Sequence, residues 1–231
     1  MKATIHLETG QGLVKVEILE DDGSQVEKTI TVQNFREIFK EKEAKKYYCL
    51  NPMFDTYKPA ESEKGLICGV QRTDSCEGLF FVPADKRYMN VAGEQNMMPY
   101  PGLIFRLSAT NGKLMESRCF AVKERQLSEL TLASKLYAFP FGNVYPMDAH
   151  ICWGSNQLAG MYDYEKLRGA ITTFFCSESN MDYVKTGESY AKKYGTYQNF
   201  LGELGKKDVF PKTALVRSTY KATLFDLIDS M

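Results

Sequence analysis

The stretch PGLIFRLSATNGKLMESRCFAVK, residues 101–123, limits the possible folds of this 231-residue chain more than any other segment. Its two apolar, strand-like runs flank Asn111-Gly112, a dipeptide that tolerates the positive φ angles of a tight hairpin turn. Similar short runs precede it at GLICGV, GLFFV and KRYMNVA, and TLASKLYAF follows it. The sequence therefore predicts an antiparallel meander of strands from about residue 66 to residue 139.

Helical periodicity follows this meander. Residues 162–175, YDYEKLRGAITTFF, place apolar side chains on one helical face, with Asp163 as the N-cap. A weaker helix is predicted at residues 188–207, where Gly195 interrupts the pattern, and a short final helix at residues 223–228. Strands followed by helices indicate an α+β domain whose helices pack on one face of the sheet.

The amino-terminal part forms a separate pattern. ATIHLETGQGLVKVEIL, residues 3–19, predicts a β-hairpin, and residues 31–46 predict a helix that begins at Thr31. A polar, proline-containing stretch at residues 57–63 then indicates a linker or long loop. We therefore expect an amino-terminal hairpin and helix extension at residues 1–60 and the main domain at residues 61–231.

Composition excludes several classes of partner. Lys plus Arg and Asp plus Glu both number 29, so the chain has no excess of positive charge that would attract nucleic acid or an anionic membrane. The beginning, MKATIHLETG, lacks the pattern of a secretory signal, and no window approaches a membrane span. We therefore expect a cytoplasmic protein that binds proteins or small molecules, with neither a nucleic acid nor a membrane as partner.

The six cysteines do not form a metal or disulfide pattern. There is no Cys-x-x-Cys pair, and His6 and His150 lie far apart, so zinc spacing is absent and no metal or cofactor is expected. A chain with a core of this size needs no disulfides, so reduced thiols are expected. Most cysteines outside the stretch described next are interpreted as buried apolar residues (Cys49, Cys119 and Cys176), while Cys68 and Cys76 bracket a polar turn and are candidates for exposure.

The segment FPFGNVYPMDAHICWGSN, residues 139–156, contains the candidate site. Part of it, GNVYPMDAHIC, resembles the active-site segment of ubiquitin-conjugating enzymes. In those enzymes a meander ends in an irregular loop with His-Pro-Asn, an aromatic residue, a turn, and an apolar residue before the catalytic cysteine. Asn143, Tyr145, Ile151 and Cys152 stand in those places here.

The chain is also similar to a prokaryotic branch of that fold, ubiquitin-conjugating family D, also called PRTRC-system protein B. The similarity covers the leading hairpin, the short helix, GLFFVPADKRYMNV, PYPGLIFRL, and AFPFGNVYP with ICWGS. It implies a ubiquitin-conjugating (UBC)-like fold, in which the meander leads through the cysteine loop to carboxy-terminal helices. There are two departures: Phe141 and Gly142 replace His-Pro, and the interval from Asn143 to Cys152 is one residue longer than in eukaryotic members.

The resemblance also implies partners. These are a ThiF-type adenylating enzyme, a ubiquitin-like protein and a JAB-type metallopeptidase, in a plasmid-linked or mobile genetic setting. The adenylating enzyme would load the modifier's carboxy terminus onto Cys152, because a cysteine thiolate attacks an activated carboxyl carbon well and later leaves well. The acyl group would then pass to an amine.

Each other residue of the candidate site has two interpretations. Asn143 is either an amide donor to the tetrahedral oxyanion or a brace for the loop. His150 either approaches the thiol from two residues away or is a hydrogen-bonded structural residue. Tyr145 and Asp148 either shape the acceptor path or make local packing and an Asx turn. Trp153 is predicted to anchor the loop, and residues 177–183 either gate the thiol or simply end a helix.

Two further functions are compatible with the sequence. One is a catalytically inactive UBC-fold module that docks partners in a larger assembly, which the missing His-Pro favours. The other is a cysteine hydrolase or isopeptidase that uses Cys152 with a histidine. Such enzymes generally draw the base from a different part of the chain, where only His6 is available.

Overall fold

A computed structural model of the chain describes residues 2–7, 13–19, 24–31, 65–72, 74–91, 93–180 and 194–231. The chain divides into two compact units, residues 1–45 and 46–231. The expected boundary at residue 60 lies outside the described residues, so the division at that point stays a prediction. Among the helices of the described ranges, none is long and apolar enough to cross a membrane.

The amino-terminal unit contains a three-stranded antiparallel sheet. Its strands are β1 (Lys2–Leu7), β2 (Leu13–Leu19) and β3 (Gln25–Thr31), in that order. The predicted hairpin is confirmed, because β1 pairs with β2. The third strand was not predicted, although QVEKTIT alternates with the period of two that is typical of a strand. Thr31 therefore ends a strand, and the remainder of the helix predicted from it lies outside the described residues.

The main unit is built on a five-stranded antiparallel sheet with the order β10-β9-β8-β5-β4. Its strands are β4 (Leu66–Gln71), β5 (Ser75–Val82), β8 (Gly102–Thr110), β9 (Lys113–Val122) and β10 (Tyr137–Ala138). The turn between β8 and β9 has Asn111 and Gly112 at φ 50° and 70°, as their types predict. The described main unit thus confirms an α+β fold with an antiparallel sheet.

The predicted strand KRYMNVA does not belong to this sheet. It is β6 (Lys86–Val91), and it pairs with β7 (Glu94–Pro99) in a separate two-stranded sheet. In the chain, this pair follows β5 and precedes β8, which are themselves neighbours in the main sheet. The chain leaves the main sheet at Pro83 and returns at Pro101, next to the ends of β5 and β8. Proline has no N–H to donate to a ladder, so both positions favour the end of strand pairing.

The predicted strand TLASKLYAF is also much shorter in the structure. Only Tyr137–Ala138 forms a strand, and the residues before it pair with the carboxy-terminal segment instead. Leu136 N–H donates to Ala222 O at 2.9 Å, and Leu224 N–H donates to Ser134 O at 2.9 Å. These bonds join parts of the chain that local periodicity cannot relate.

In the described residues after the cysteine loop, the structure contains three helices. They are α1 (Tyr164–Cys176), α2 (Tyr197–Gly205) and α3 (Leu224–Asp229), with short 3-10 turns at Leu127–Glu129 and Lys212–Ala214. Asp163 caps α1 by accepting from Lys166 N–H, as predicted, and a capping box of Thr223 and Asp226 begins α3. The weaker predicted helix is described only from Tyr194 onward, and α2 begins after the cap Thr196.

Aromatic side chains pack α1 against the sheet. The Phe174 ring lies 5.4 Å from the ring of Phe105 on β8 and 5.4 Å from that of Phe139, both in edge contacts. Phe141 is 3% exposed and packs between Tyr100 and Phe210. The residue that replaces the histidine of His-Pro is therefore part of the core, and it holds the start of the cysteine loop against the helices.

Candidate functional site

The cysteine loop is a small irregular hairpin. Val144 and Ile151 pair as an antiparallel bridge, and Cys152 N–H donates to Asn143 O at 2.8 Å. Two residues in this hairpin have positive φ, Asn143 at 69° and Ala149 at 62°. The loop thus brings Asn143 and Cys152 together across its base, despite the longer interval between them.

Trp153 anchors the loop, which confirms the prediction for this residue. Its Nε1 donates to Oγ of buried Ser117 at 2.9 Å, and its ring lies 6.2 Å from that of Phe174. Ile151 N–H also donates to Ser117 O at 3.0 Å. The backbone around Cys152 is therefore tied to strand β9 from both sides of the cysteine.

The residues after α1 lie against the base of this loop. In this post-helix segment, residues 177–180, Glu178 O accepts from Asn143 Nδ2 at 2.7 Å, and Asn180 N–H donates to Asn143 Oδ1 at 2.8 Å. Asn143 N–H donates in return to Asn180 Oδ1 at 3.2 Å. The segment approaches so closely that a Cβ atom on Gly142 would overlap the carbonyl oxygen of Asn180. Glycine therefore replaces the usual proline where two backbones meet.

The loop and the post-helix segment form the walls of an open cleft of about 610 Å³, which we call the thiol cleft. Its lining residues come from the end of β6, the cysteine loop, the end of α1 and the post-helix segment. They are Val91, Asn143, Cys152, Trp153, Gly154, Ser155, Asn156, Cys176, Ser177, Glu178, Ser179 and Asn180. This volume falls within the range of small-molecule and peptide-end sites.

Burial distinguishes two groups of thiols. Cys68, Cys76 and Cys119 are buried, whereas Cys152 is partly exposed and Cys176 is exposed. The expected burial of Cys176 is therefore wrong, because this residue ends α1 at the rim of the cleft, and the suggested exposure of Cys68 and Cys76 is wrong because both side chains pack in the core. Cys49, the sixth cysteine, lies outside the described residues.

Desolvation makes two of the buried thiols unreactive. Burial raises the pKa of Cys76 to about 12, with further contributions from the negative charges of Asp163 and Glu77. Burial alone raises the pKa of Cys119 well above its ordinary value. Because the thiolate is the nucleophile, both groups are poor candidates for acyl transfer. Among the described thiols, the two that are not buried, Cys152 and Cys176, both line the cleft.

Alkylation is expected to separate these groups. Native protein treated with iodoacetamide at neutral pH should be labelled at Cys152 and Cys176, while Cys68, Cys76 and Cys119 stay unmodified until urea unfolds the chain. The raised pKa of Cys76 alone leaves it roughly a thousandfold less thiolate than an ordinary cysteine. Peptide mapping by mass spectrometry measures each site, and native labelling of Cys119 as fast as Cys152 would contradict this burial.

The remaining predicted site residues lie outside the lining of the thiol cleft. The ring of Tyr145 is 6.3 Å from that of His150, and Asp148 Oδ1 accepts from His150 N–H at 3.1 Å, as in an Asx turn. Arg118 Nη1 donates to Asp148 O and lies 3.9 Å from its Oδ2. The structure thus groups Tyr145, Asp148 and His150 at the turn of the loop, and their catalytic roles stay predictions.

Sequence reasoning missed part of the cleft. Cys176 and Asn156 were not predicted to line it, and Asn156 Nδ2 joins its two walls by donating to Ser177 Oγ at 2.9 Å. These contacts cross between segments distant in the chain, so no spacing rule points to them. The available signal is a glycine directly before Asn143, which marks a close backbone approach. Of the range 177–183, which was considered as a gate for the thiol, residues 177–180 line the cleft and the rest lies outside the described residues, so a gating role stays a prediction. Within the described ranges, no group of three or more His, Cys, Asp and Glu is placed to hold a metal ion.

Comparison with known proteins gives one match. Residues 70–218, more than half of the chain, match the family model described as Prokaryotic E2 family D. This range contains the cysteine loop, α1 and every residue that lines the thiol cleft. Searches of curated proteins and of solved structures found none that matches the chain.

Proposed function

Because the chain belongs to prokaryotic E2 family D, we propose that it accepts the carboxy terminus of a ubiquitin-like protein as a thioester on Cys152 and transfers it to an amine. Membership implies, in general terms, a ubiquitin-like protein and an E1-type activating enzyme as partners. We assign the activating step to a ThiF-type adenylating enzyme. We also place the protein in a PRTRC-type system on a plasmid or mobile element, together with a JAB-type metallopeptidase.

One observation carries the proposal. Cys152 is a partly exposed thiol in an open cleft, held by a backbone hydrogen bond at the place where the family resemblance puts its catalytic cysteine. An acyl carrier needs a sulfur that solvent and a large partner can reach, on a backbone that does not collapse over it. Cys76 and Cys119, with raised pKa values and no exposure, lack that property.

The cleft suits a slender acyl group better than a bulky side chain. One wall, residues 153–156, is mostly exposed loop, and the other is the post-helix segment, in which Ser177, Ser179 and Asn180 are partly exposed and Glu178 is exposed. An extended peptide end of small residues could lie between these walls with its carboxyl carbon at the sulfur. The transfer would form a C–N bond to the incoming amine and break the C–S bond, with the electron pair returning to Cys152.

A thioester trap tests the proposal. The full chain is incubated with ATP, a ThiF-type adenylating enzyme and a ubiquitin-like protein of a PRTRC-type system, then separated without reducing agent. We expect a slower-migrating adduct that thiol reagents cleave and that Cys152→Ala abolishes. Cys176→Ala is the matched control, because it removes the other thiol of the same cleft, and it should retain the adduct. An adduct lost in Cys176→Ala and kept in Cys152→Ala would refute the assignment.

A second candidate function is a docking module without catalysis. The observation that favours it is the commitment of the Asn143 carboxamide to the post-helix segment, which leaves the usual oxyanion donor engaged. Under this alternative, Cys152→Ala binds the adenylating enzyme and the ubiquitin-like protein as tightly as the unchanged chain does. The unchanged chain then gives no adduct under any loading condition.

A further inference from the structure

The carboxamide of Asn143 is poorly placed to serve a substrate. It is 5% exposed, its Oδ1 accepts from Asn180 N–H, and its Nδ2 donates to Glu178 O at 2.7 Å. The bond to Glu178 engages one of the two Nδ2 hydrogens, and the burial of the side chain leaves little of the amide facing the cleft. Asn143 therefore acts as the brace of the loop.

A second carboxamide in the same cleft has its donor end open. Asn180 Oδ1 accepts from Asn143 N–H at 3.2 Å, and since a backbone N–H can only donate, the atom facing it must be the oxygen. Asn180 Nδ2 is the opposite end of that planar group, and it has no hydrogen-bond partner in the part of the chain that the structure describes. Asn180 is partly exposed and lines the thiol cleft.

One residue fixes both Asn180 and the nucleophile. Asn143 O accepts from Cys152 N–H at 2.8 Å, while Asn143 N–H holds the Asn180 carboxamide and Asn143 Oδ1 holds the Asn180 backbone. Buried Asn143 therefore holds both the Asn180 carboxamide and the backbone of Cys152, and these two residues line the same cleft. Preorganised donors stabilise developing negative charge with little rearrangement.

We propose that Asn180, rather than Asn143, supplies the side-chain donor to the tetrahedral oxyanion formed on Cys152; this rests on the proposed function. The amine nitrogen attacks the thioester carbonyl carbon, and the carbonyl oxygen takes the negative charge and accepts from Asn180 Nδ2. The C–O double bond then re-forms, the C–S bond breaks, and the Cys152 sulfur leaves as a thiolate. The proton released by the amine neutralises that thiolate directly or through water.

The test loads Cys152 chemically, so that it does not depend on the identity of the modifier. A synthetic peptide ending in Gly-Gly as a mercaptoethanesulfonate thioester exchanges onto Cys152 of the full chain, with Cys176→Ala present in every protein compared, and discharge of the purified adduct to free lysine is timed by mass. In Asn180→Asp the remaining oxygens still accept from Asn143 N–H, but the donor is gone. We expect discharge to slow by roughly 100-fold, with the final extent of loading and the urea stability unchanged.

Two controls distinguish loss of the Asn180 hydrogen-bond donor from the effect of the negative charge that Asn180→Asp adds. Asn180→Ala removes the donor without adding a charge, and its discharge should slow as much as that of Asn180→Asp. The rate at which iodoacetamide alkylates Cys152 reports thiolate availability and should be equal in the unchanged chain and Asn180→Asp. Asn143→Asp should lower the urea midpoint, and it should slow discharge less than Asn180→Asp does.

The outcomes are distinct. Slow discharge in both Asn180→Asp and Asn180→Ala, with alkylation of Cys152 unchanged in Asn180→Asp, supports the inference. Normal discharge in Asn180→Ala, a fall in the alkylation rate that matches the slowing of discharge, or an unaffected Asn180→Asp overturns it while leaving the proposed function standing. Failure of the unchanged chain to accept the acyl group overturns both.

Discussion

Gly142→Ala is expected to destabilise the main unit by about 3 kcal/mol, near the upper end of ordinary overpacking penalties. A Cβ atom on Gly142 would overlap the carbonyl oxygen of Asn180, lie 2.8 Å from its carbonyl carbon and lie 3.0 Å from Ser179 Oγ. The obstacle is largely backbone, so no side-chain rotation relieves it. The post-helix segment must move away and lose its hydrogen bonds to Asn143.

Urea denaturation followed by fluorescence measures this effect conveniently. Trp153 is the only tryptophan of the chain and lies in the cysteine loop, so its signal reports the affected region. Gly169→Ala is the matched control, because Gly169 lies in α1 with open space around its Cβ position. That substitution should stabilise the protein by about 0.5–1 kcal/mol through helix propensity. A Gly142→Ala midpoint equal to that of the unchanged chain would contradict the close approach.

Arg106→Met is expected to cost about 3–5 kcal/mol at pH 7, because it leaves a buried carboxylate without its cation. Arg106 Nε donates to Glu77 Oε1 at 2.8 Å, and its Nη atoms donate to Ser230 Oγ and O at 2.9 and 2.7 Å. The side chains of Arg106 and Glu77 are 7% and 18% exposed. The guanidinium therefore also fastens the end of α3 to the sheet.

The pH dependence follows from the same pair. Burial raises the pKa of Glu77, and the Arg106 guanidinium offsets part of that rise. In Arg106→Met the pKa of Glu77 in the folded state rises further above its unfolded value. The charge penalty is then fully present above the folded pKa and disappears as the pH falls below the unfolded pKa. The stability difference between Arg106→Met and the unchanged chain should therefore shrink in acid.

Two variants serve as controls for Arg106→Met. Adding Glu77→Gln removes the orphaned charge, so the double variant should recover much of the loss at pH 7. Lys206→Met removes an ion pair with Glu203 whose members are both exposed, so the urea midpoint should stay unchanged. If Arg106→Met lowers the free energy of unfolding by the same amount at pH 4 and pH 7, the pKa of Glu77 does not depend on the guanidinium.

The parts of the fold that the sequence predicted are those specified by neighbouring residues. The β8-β9 hairpin follows from the Asn111-Gly112 turn, and α1 follows from its apolar face and the cap Asp163. The separate β6-β7 sheet and the short β10 depend on which distant segments compete for pairing, and local periodicity does not contain that information. Both runs were recognised as strand-like, but the partner of KRYMNVA and most of the pairing of TLASKLYAF were not predicted.

The candidate site shows the same division. The segment predicts Cys152 as the acyl carrier, and the partial exposure of this residue is compatible with that prediction, which stays a prediction. The two interpretations of Asn143 could not be separated, because its partners Glu178 and Asn180 lie more than thirty residues away. The requirement for glycine at 142 also arises only when the post-helix segment is in place. Tertiary contacts, rather than residue types, decide which amide braces the loop and which is open to the cleft.

The central claim is that the Cys152 sulfur carries an acyl group, and identifying the loaded atom tests it most directly. The full chain, its Cys152→Ser variant and its Cys176→Ser variant are incubated with ATP, the adenylating enzyme and the ubiquitin-like protein, digested, and mapped by tandem mass spectrometry. We predict a modified peptide containing Cys152 in the unchanged chain and in Cys176→Ser, cleaved by thiol reagents, and an ester at position 152 in Cys152→Ser that resists them. Modification at Cys176 instead, or no acylated peptide under conditions in which the adenylating enzyme is itself charged, would contradict the account.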